Sequence, residues 1–384
     1  MDRLLFAKRK LAQIKAEISR VRTSDFHHPG VKRVLDRIEQ RFDRLIRDIE
    51  RVTPAARTDT LHQYNLTVNV NVDYFHRVIG IILRSTNARN SFEIYDPLLR
   101  IAKRLLGLDT VLILSSEWEF VPFSTPSIFG GVPNCTVVGL PVMEVANALV
   151  IPLAGHELGH AVWRARDFND KIAIEREAAL SKAFEARQDE FERHVGSHSD
   201  ILSRLATNEW GQIPLEAMQN ICEEIFCDML GVRLFGMGYL YAFEYLAAPS
   251  LGETDLREYP SFDVRARYLV EAMSEIIDIE TKCDLGLHDT SPESVGALWP
   301  GLDGYATRFS ADAGRKLDDY DSFLLESAHQ ACETLVPRLR ELATEVCNVD
   351  DQNPSPVPFP TFKFAREALD RFERGYLPWV TWQT

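Results

Sequence analysis

Two histidines four residues apart with a glutamate behind the first, in His156-Glu157-Leu158-Gly159-His160, are the residues of this 384-residue chain best suited to chemistry. On a helix, positions four apart share a face, so the two imidazoles can take two corners of a Zn²⁺ tetrahedron. Glu157 then stands beside the metal without ligating it, placed to act as base toward a water there. The neighbours favour this reading over a solvated polar face. Val145 to Ala154 leads into the motif and Ala161-Val162-Trp163 leads out, both largely apolar. Unpaired His and Glu on a buried helix would be costly.

A second stretch, Asn220 to Gly231, carries Glu224 and Asp228 four apart in otherwise apolar surroundings. Two carboxylates on one face repel and resist burial, a difficulty that a divalent cation removes. Glu224 is therefore the expected third ligand of one zinc ion. Asp228 is expected to accept the outer N–H of a ligand His, which fixes its tautomer. Glu223 faces about 100° away and reads as a solvent or core-edge carboxylate. Gly231 would let another backbone come close. Further on, Tyr259-Pro260 and Arg265 supply donors of the kind that stabilise an oxyanion, although a capped helix with an exposed Arg accounts for them equally well.

The elements that must position these residues follow from periodicity. Pro152 is best tolerated in a first helical turn, so the site helix should start there and run to about Arg166. Upstream, Thr110 to Leu114, Glu117 to Phe123 and Cys135 to Leu140 read as three short strands. The last of these could pair with an extended peptide. Leu66 to Val72 alternates as a strand would, and Asp96 to Leu106 reads as a helix stopped by Gly107. Near the amino terminus, Leu4 to Val21 and the heptad seam Val31 to Val52 form a helical hairpin. Asp170 to Val195 reads as one long helix with Ile174, Leu180, Phe184, Phe191 and Val195 inward.

Composition bounds the rest. No run of eighteen apolar residues occurs and the amino terminus is charged early, so a soluble cytoplasmic protein with no membrane partner is expected. The six cysteines, at 135, 222, 227, 283, 332 and 347, show no CxxC pair and read as free thiols. The net charge of −14 hides an asymmetry. Residues 1–57 hold 15 Lys or Arg against 8 Asp or Glu, and the remainder 28 against 49. An acidic body argues against general nucleic-acid binding, while the basic hairpin leaves room for a protein partner.

Joined to the later Glu224-x-x-x-Asp228, the HExxH motif resembles the gluzincin clan of zinc metallopeptidases, to which thermolysin belongs. The gap from His160 to Glu224 and the Tyr259-Pro260 to Arg265 spacing look most like the HtpX and CAAX-prenyl endopeptidase branch. This chain departs from that branch in having Tyr259 where a His would stand and in lacking membrane helices. The likeness spans residues 135 to 270. It implies an α+β, mainly helical fold with a zincin-like catalytic domain. The expected organisation is a hairpin over 1–57, the metallopeptidase domain over 58–290, a helical region over 291–350, and a Pro-rich linker with a terminal helix over 351–384. The expected function is a zinc-dependent endopeptidase acting on a protein or peptide, with His156, His160 and Glu224 as ligands and Glu157 as base. Tyr259 or Arg265 would serve the oxyanion. The rival from another class is a non-catalytic scaffold or regulator with a structural metal, working through the hairpin.

Overall fold

Helix α1 (Arg3–Arg22) and helix α2 (Pro29–Glu50) form because apolar residues recur at steps of three and four between charges. In α2 the residues Val31, Leu35, Ile38, Phe42 and Ile49 are all buried, as the heptad seam requires. Helix α3 (Thr58–Arg84) lies against them and takes the place of the expected strand. The alternation of Leu66, Val68, Val70 and Val72 is coincidental. Val68 is buried while Leu66 and Val70 are 50% and 60% exposed, and the packing face continues through Phe75, Val78, Ile79 and Ile82 at helical spacing. Helix α4 (Tyr95–Leu106) ends at Gly107, whose φ of 114° suits glycine.

Three strands follow, β1 (Val111–Glu117), β2 (Phe123–Ser124) and β3 (Cys135–Pro141), in the order β1-β3-β2. β1 runs parallel to β3 with Val111 opposite Cys135, and β2 joins β3 antiparallel at Gly139 and Val138. The chain is thus mainly helical with one small sheet among the described residues. β3 is the central strand, so its two edges are already paired at Val138 and Gly139, which removes it as the expected edge for strand addition. Val111, Ile113 and Val137 enter the same core as α1, α2 and α3. Residues 1–145 accordingly form one compact unit and 146–384 a second. The boundary lies past the sheet, and not at residue 57, because hairpin and sheet share their core.

The computed structural model describes residues 3–24, 26, 29–52, 57–84, 94–117, 123–124, 134–141, 144, 147, 150–195, 209–247, 260, 262–277, 289, 291–296 and 319–348. Tyr259 and the expected linker and terminal helix over 351–384 lie outside them. Among the described residues no helix is long and apolar enough to cross a membrane.

The second unit is helical. It comprises α5 (Leu153–Ala165), α6 (Phe168–Lys171), α7 (Ala173–Ala186), α8 (Gln188–Val195), α9 (Glu209–Phe235), α10 (Met237–Ala242), a π-helical turn (Phe243–Ala247), α11 (Phe262–Ile276), α12 (Pro292–Gly296) and α13 (Asp319–Asn348). The long helix expected over 170–195 is broken at Ile172 and Arg187. Ile174 is consequently 82% exposed, and Ile172 takes the buried place. Leu180, Phe184 and Phe191 do point inward. α9 is the hub, packed on α5, α11 and α13, and closed over α5 by the rings of Trp163, Phe168 and Phe226 with centroids 5.2–5.7 Å apart.

Candidate metal centre

α5 begins just after Pro152, where a missing N–H removes no helical bond. Two glycines then bring it close to α9. A Cβ on Gly155 would stand 2.9 Å from the Phe235 ring, and one on Gly159 would stand 2.8 Å from Cys227 Cα and Sγ. His156 and His160 are thereby held against the carboxylates of α9. Gly159→Ala should force the helices apart and cost about 1–3 kcal/mol. Chemical denaturation would check this, and an alanine variant as stable as wild type would contradict the close packing. Gly231 gives the close backbone approach expected of it, its Cα standing 3.2 Å from where a Gly155 Cβ would be, and a Cβ on Gly231 itself would also run into the ring of Tyr239.

Each imidazole is gripped from both ends by α9. Nδ1 of His156 donates to Asp228 Oδ1 at 2.9 Å, and Nδ1 of His160 donates to Glu223 Oε1 at 2.8 Å. When the rings are neutral with Nδ1 as the N–H, both Nε2 atoms present lone pairs on the other side. There they converge on one carboxylate, Glu224, with His156 Nε2 3.2 Å from Oε2 and His160 Nε2 3.4 Å from Oε1. Donors bound at roughly 2.0–2.2 Å to a tetrahedral ion stand about 3.3–3.5 Å apart, so these separations are those of ligand corners. Glu224 Oε2 is buried and makes no hydrogen bond when His156 Nε2, 3.2 Å away, carries no proton. That is the cost expected of a ligand atom considered without its cation.

Asp228 is held by more than the histidine. Arg265 forks onto it through Nε at 2.7 Å and Nη2 at 2.8 Å, and the Tyr239 hydroxyl donates to Oδ1 at 2.6 Å. Arg265 Nη2 also lies 3.8 Å from Glu224 Oε2, and its guanidinium stacks over the Phe243 ring. The exposed-Arg reading of residue 265 is thus excluded, and its donors are directed at Asp228, which makes it a positioning residue. Glu223 is buried and bonded to His160, and Arg164 reaches it at 3.2 Å. It is therefore part of the site and not an edge carboxylate. The sequence offered no signal for Tyr239, because its role depends on the turn at Gly236 that folds α10 back onto α9.

The charges are strongly coupled. Burial opposes a charge on His156, but Glu224 and Asp228 outweigh it and push the imidazole up to about 10. Burial likewise opposes ionisation of Asp228, yet the Arg265 guanidinium and then His156 hold it well below the ordinary carboxylate range. Glu224 is lowered in the same way against its burial, chiefly by His156. Glu157 goes the other direction, pushed up by burial with His156 and His160 offsetting only part. Two carboxylates on one face of the site are thus kept charged and a third is shifted toward neutrality.

Cys227 Sγ also lies within 4.8 Å of ring nitrogens of both histidines. Burial, reinforced by Glu224 and Glu223, pushes its thiol well above the ordinary value while no cation is bound, and the side chain packs on Gly159. The two histidines and Cys227 thus form a group that could hold a metal ion, and Glu224 faces both Nε2 atoms as a second candidate third donor. Comparison with family models, with curated proteins and with solved structures finds no match. The donor set itself must therefore carry the functional reading. His156, His160, Glu224, Asp228, Glu157 and Arg265 are brought together within the second unit, and Tyr259 falls outside the described residues.

Proposed function

We propose that this chain is a zinc-dependent peptidase with a gluzincin-like centre in a zincin-like domain. The observation that carries the reading is the convergence of His156 Nε2, His160 Nε2 and the unbonded Glu224 oxygen, with each Nδ1 proton already fixed by a carboxylate. The three would hold one Zn²⁺, and the donor chemistry of two neutral imidazoles and one carboxylate fits that ion. Bound zinc supplies a Lewis acid at this point, polarising a carbonyl and acidifying water.

The remaining chemistry belongs to the chain. Asp228 and Glu223 keep the Nδ1 protons in place, so that both Nε2 atoms remain donors. Arg265 and Tyr239 keep Asp228 charged and oriented. Glu157 takes a proton from the attacking water on its carboxylate and returns it to the leaving amine, so that one peptide bond and one water become a carboxylate and an amine. Its raised pKa brings it nearer the working pH, which suits proton transfer in both directions.

The decisive experiment is metal analysis of the purified protein alongside cleavage of an unfolded protein such as casein. One zinc per chain, activity lost to a chelator and restored by zinc, and zinc content abolished in His156→Ala are the expected results. A wild-type protein that takes up no zinc would sink the proposal, and zinc uptake without cleavage would favour a structural metal. A titration adds a pH test. The raised pKa of His156 means that zinc competes with a proton for its Nε2, so loading should tighten as the pH rises. Zinc titrations at several pH values read that dependence, and an affinity that does not rise with pH would mean that no proton is displaced from His156.

A further inference from the structure

The outward face of α2 is made of arginine. Its buried residues Val31, Leu35, Ile38, Phe42 and Ile49 define one side of the helix. Opposite them, within an arc of about 80° at 100° per residue, stand Arg33, Arg37, Gln40, Arg44, Arg47 and Arg51. No carboxylate shares that arc. The acidic residues lie toward α1, where Asp36 and Glu39 pair with Arg22 and Asp43 pairs with Lys15. Arg41, on the other flank, is engaged by Asn71 and the Tyr74 ring of α3. Among the described residues Arg33, Arg44 and Arg47 are exposed and make no ion pair, while Arg51 meets Asp48 only at 3.7 Å.

Like charges at helical steps of three and four repel one another. The core of α1, α2 and α3 is closed by the opposite side of α2, and while Arg37 is half-buried near Cys135 and engaged within the fold, Arg33, Arg44 and Arg47 take part in none of the described ion pairs. We infer that this face is a docking surface for an acidic helix of a partner protein. Every cation in the arc is Arg, whose planar fork takes a carboxylate with two parallel bonds. From residue 33 to 51 the stripe is straight and about 27 Å long at 1.5 Å per residue. It is one helix wide, with Asp36 and Glu39 along one border and Asp48 along the other. A facing helix with Asp or Glu at matching three- and four-residue steps fits such a strip. A nucleic-acid duplex or an anionic bilayer is broader and would meet the bordering carboxylates, and the net charge of −14 repels an extended polyanion. The arc also holds no aromatic residue for base stacking and no apolar residue for a bilayer.

The test uses the full chain and a labelled helical peptide of about 20 residues with Glu at three- and four-residue steps, long enough to span the stripe. Duplex DNA and phosphatidylserine vesicles are run beside it. The peptide should bind in a salt-dependent manner, and the triple variant Arg33→Gln, Arg44→Gln, Arg47→Gln should bind about thirtyfold more weakly. That variant should melt no lower than wild type, because only repulsion has been removed. Unchanged peptide binding by the variant, no binding by wild type at low salt, tighter binding to DNA or vesicles than to peptide, or a lower melting temperature would each overturn the inference.

Discussion

Glu157→Gln is expected to keep the zinc content and the fold while slowing peptide hydrolysis by about 10²–10⁴-fold, the usual worth of a positioned acid–base group. The side chain is buried on α5 between the two histidines and contributes none of the converging donors. The amide is nearly isosteric, so it removes only the proton-accepting oxygen. Both the rate and the metal content should be read on one preparation. Retained activity would remove Glu157 from the mechanism, whereas a loss of zinc together with activity would show that it acts on the ligands and not on the proton.

The second large effect should come from Arg265. Asp228 is 2% exposed and ionised, and Arg265 supplies two of the hydrogen bonds that make this tolerable. Arg265→Met removes the cation and leaves the carboxylate buried, an arrangement that typically costs about 3–5 kcal/mol. Lys should rescue it only in part, since an ammonium cannot form the fork. The pH dependence gives the sign. A carboxylate held below its unfolded pKa contributes stability above the ordinary Asp range and loses it as the pH falls through the depressed folded value. The difference between wild type and variant should therefore be largest near neutral pH and shrink in acid. Denaturation curves that differ equally at both pH values would mean that the guanidinium stabilises by packing on Phe243 and not by charge.

Much of the site was legible because its spacing is local. His156, Glu157 and His160 fall within one helical segment, and Glu224 and Asp228 within another, so the period of 3.6 placed each set on a shared face before any tertiary contact was known. What stayed hidden was tertiary. Glu223 was assigned outward from its 100° offset, yet α5 lies between the two directions and His160 reaches across to it. Tyr239 enters through a turn at Gly236 that no periodicity reports. Arg265 was visible as a donor, but its target was not, because sequence spacing shows what a residue can offer and not which neighbour takes it. The same holds for the fold. The helices of the hairpin and α5 were readable from apolar spacing, while Leu66 to Val72 misled because seven residues are too few to separate period 2 from period 3.6.

The two histidine–carboxylate bonds join residues 72 and 63 positions apart, His156 to Asp228 and His160 to Glu223. A nascent chain is made at about 5–20 residues per second, so α5 emerges about 3–14 s before the carboxylates that complete it. For that interval the HExxH segment carries Gly155, Gly159 and Trp163 with no α9 against them, and its histidines have neither carboxylate. The centre is thus assembled late in synthesis, and a chain that stops before Asp228 displays an apolar, histidine-bearing helix without its partner.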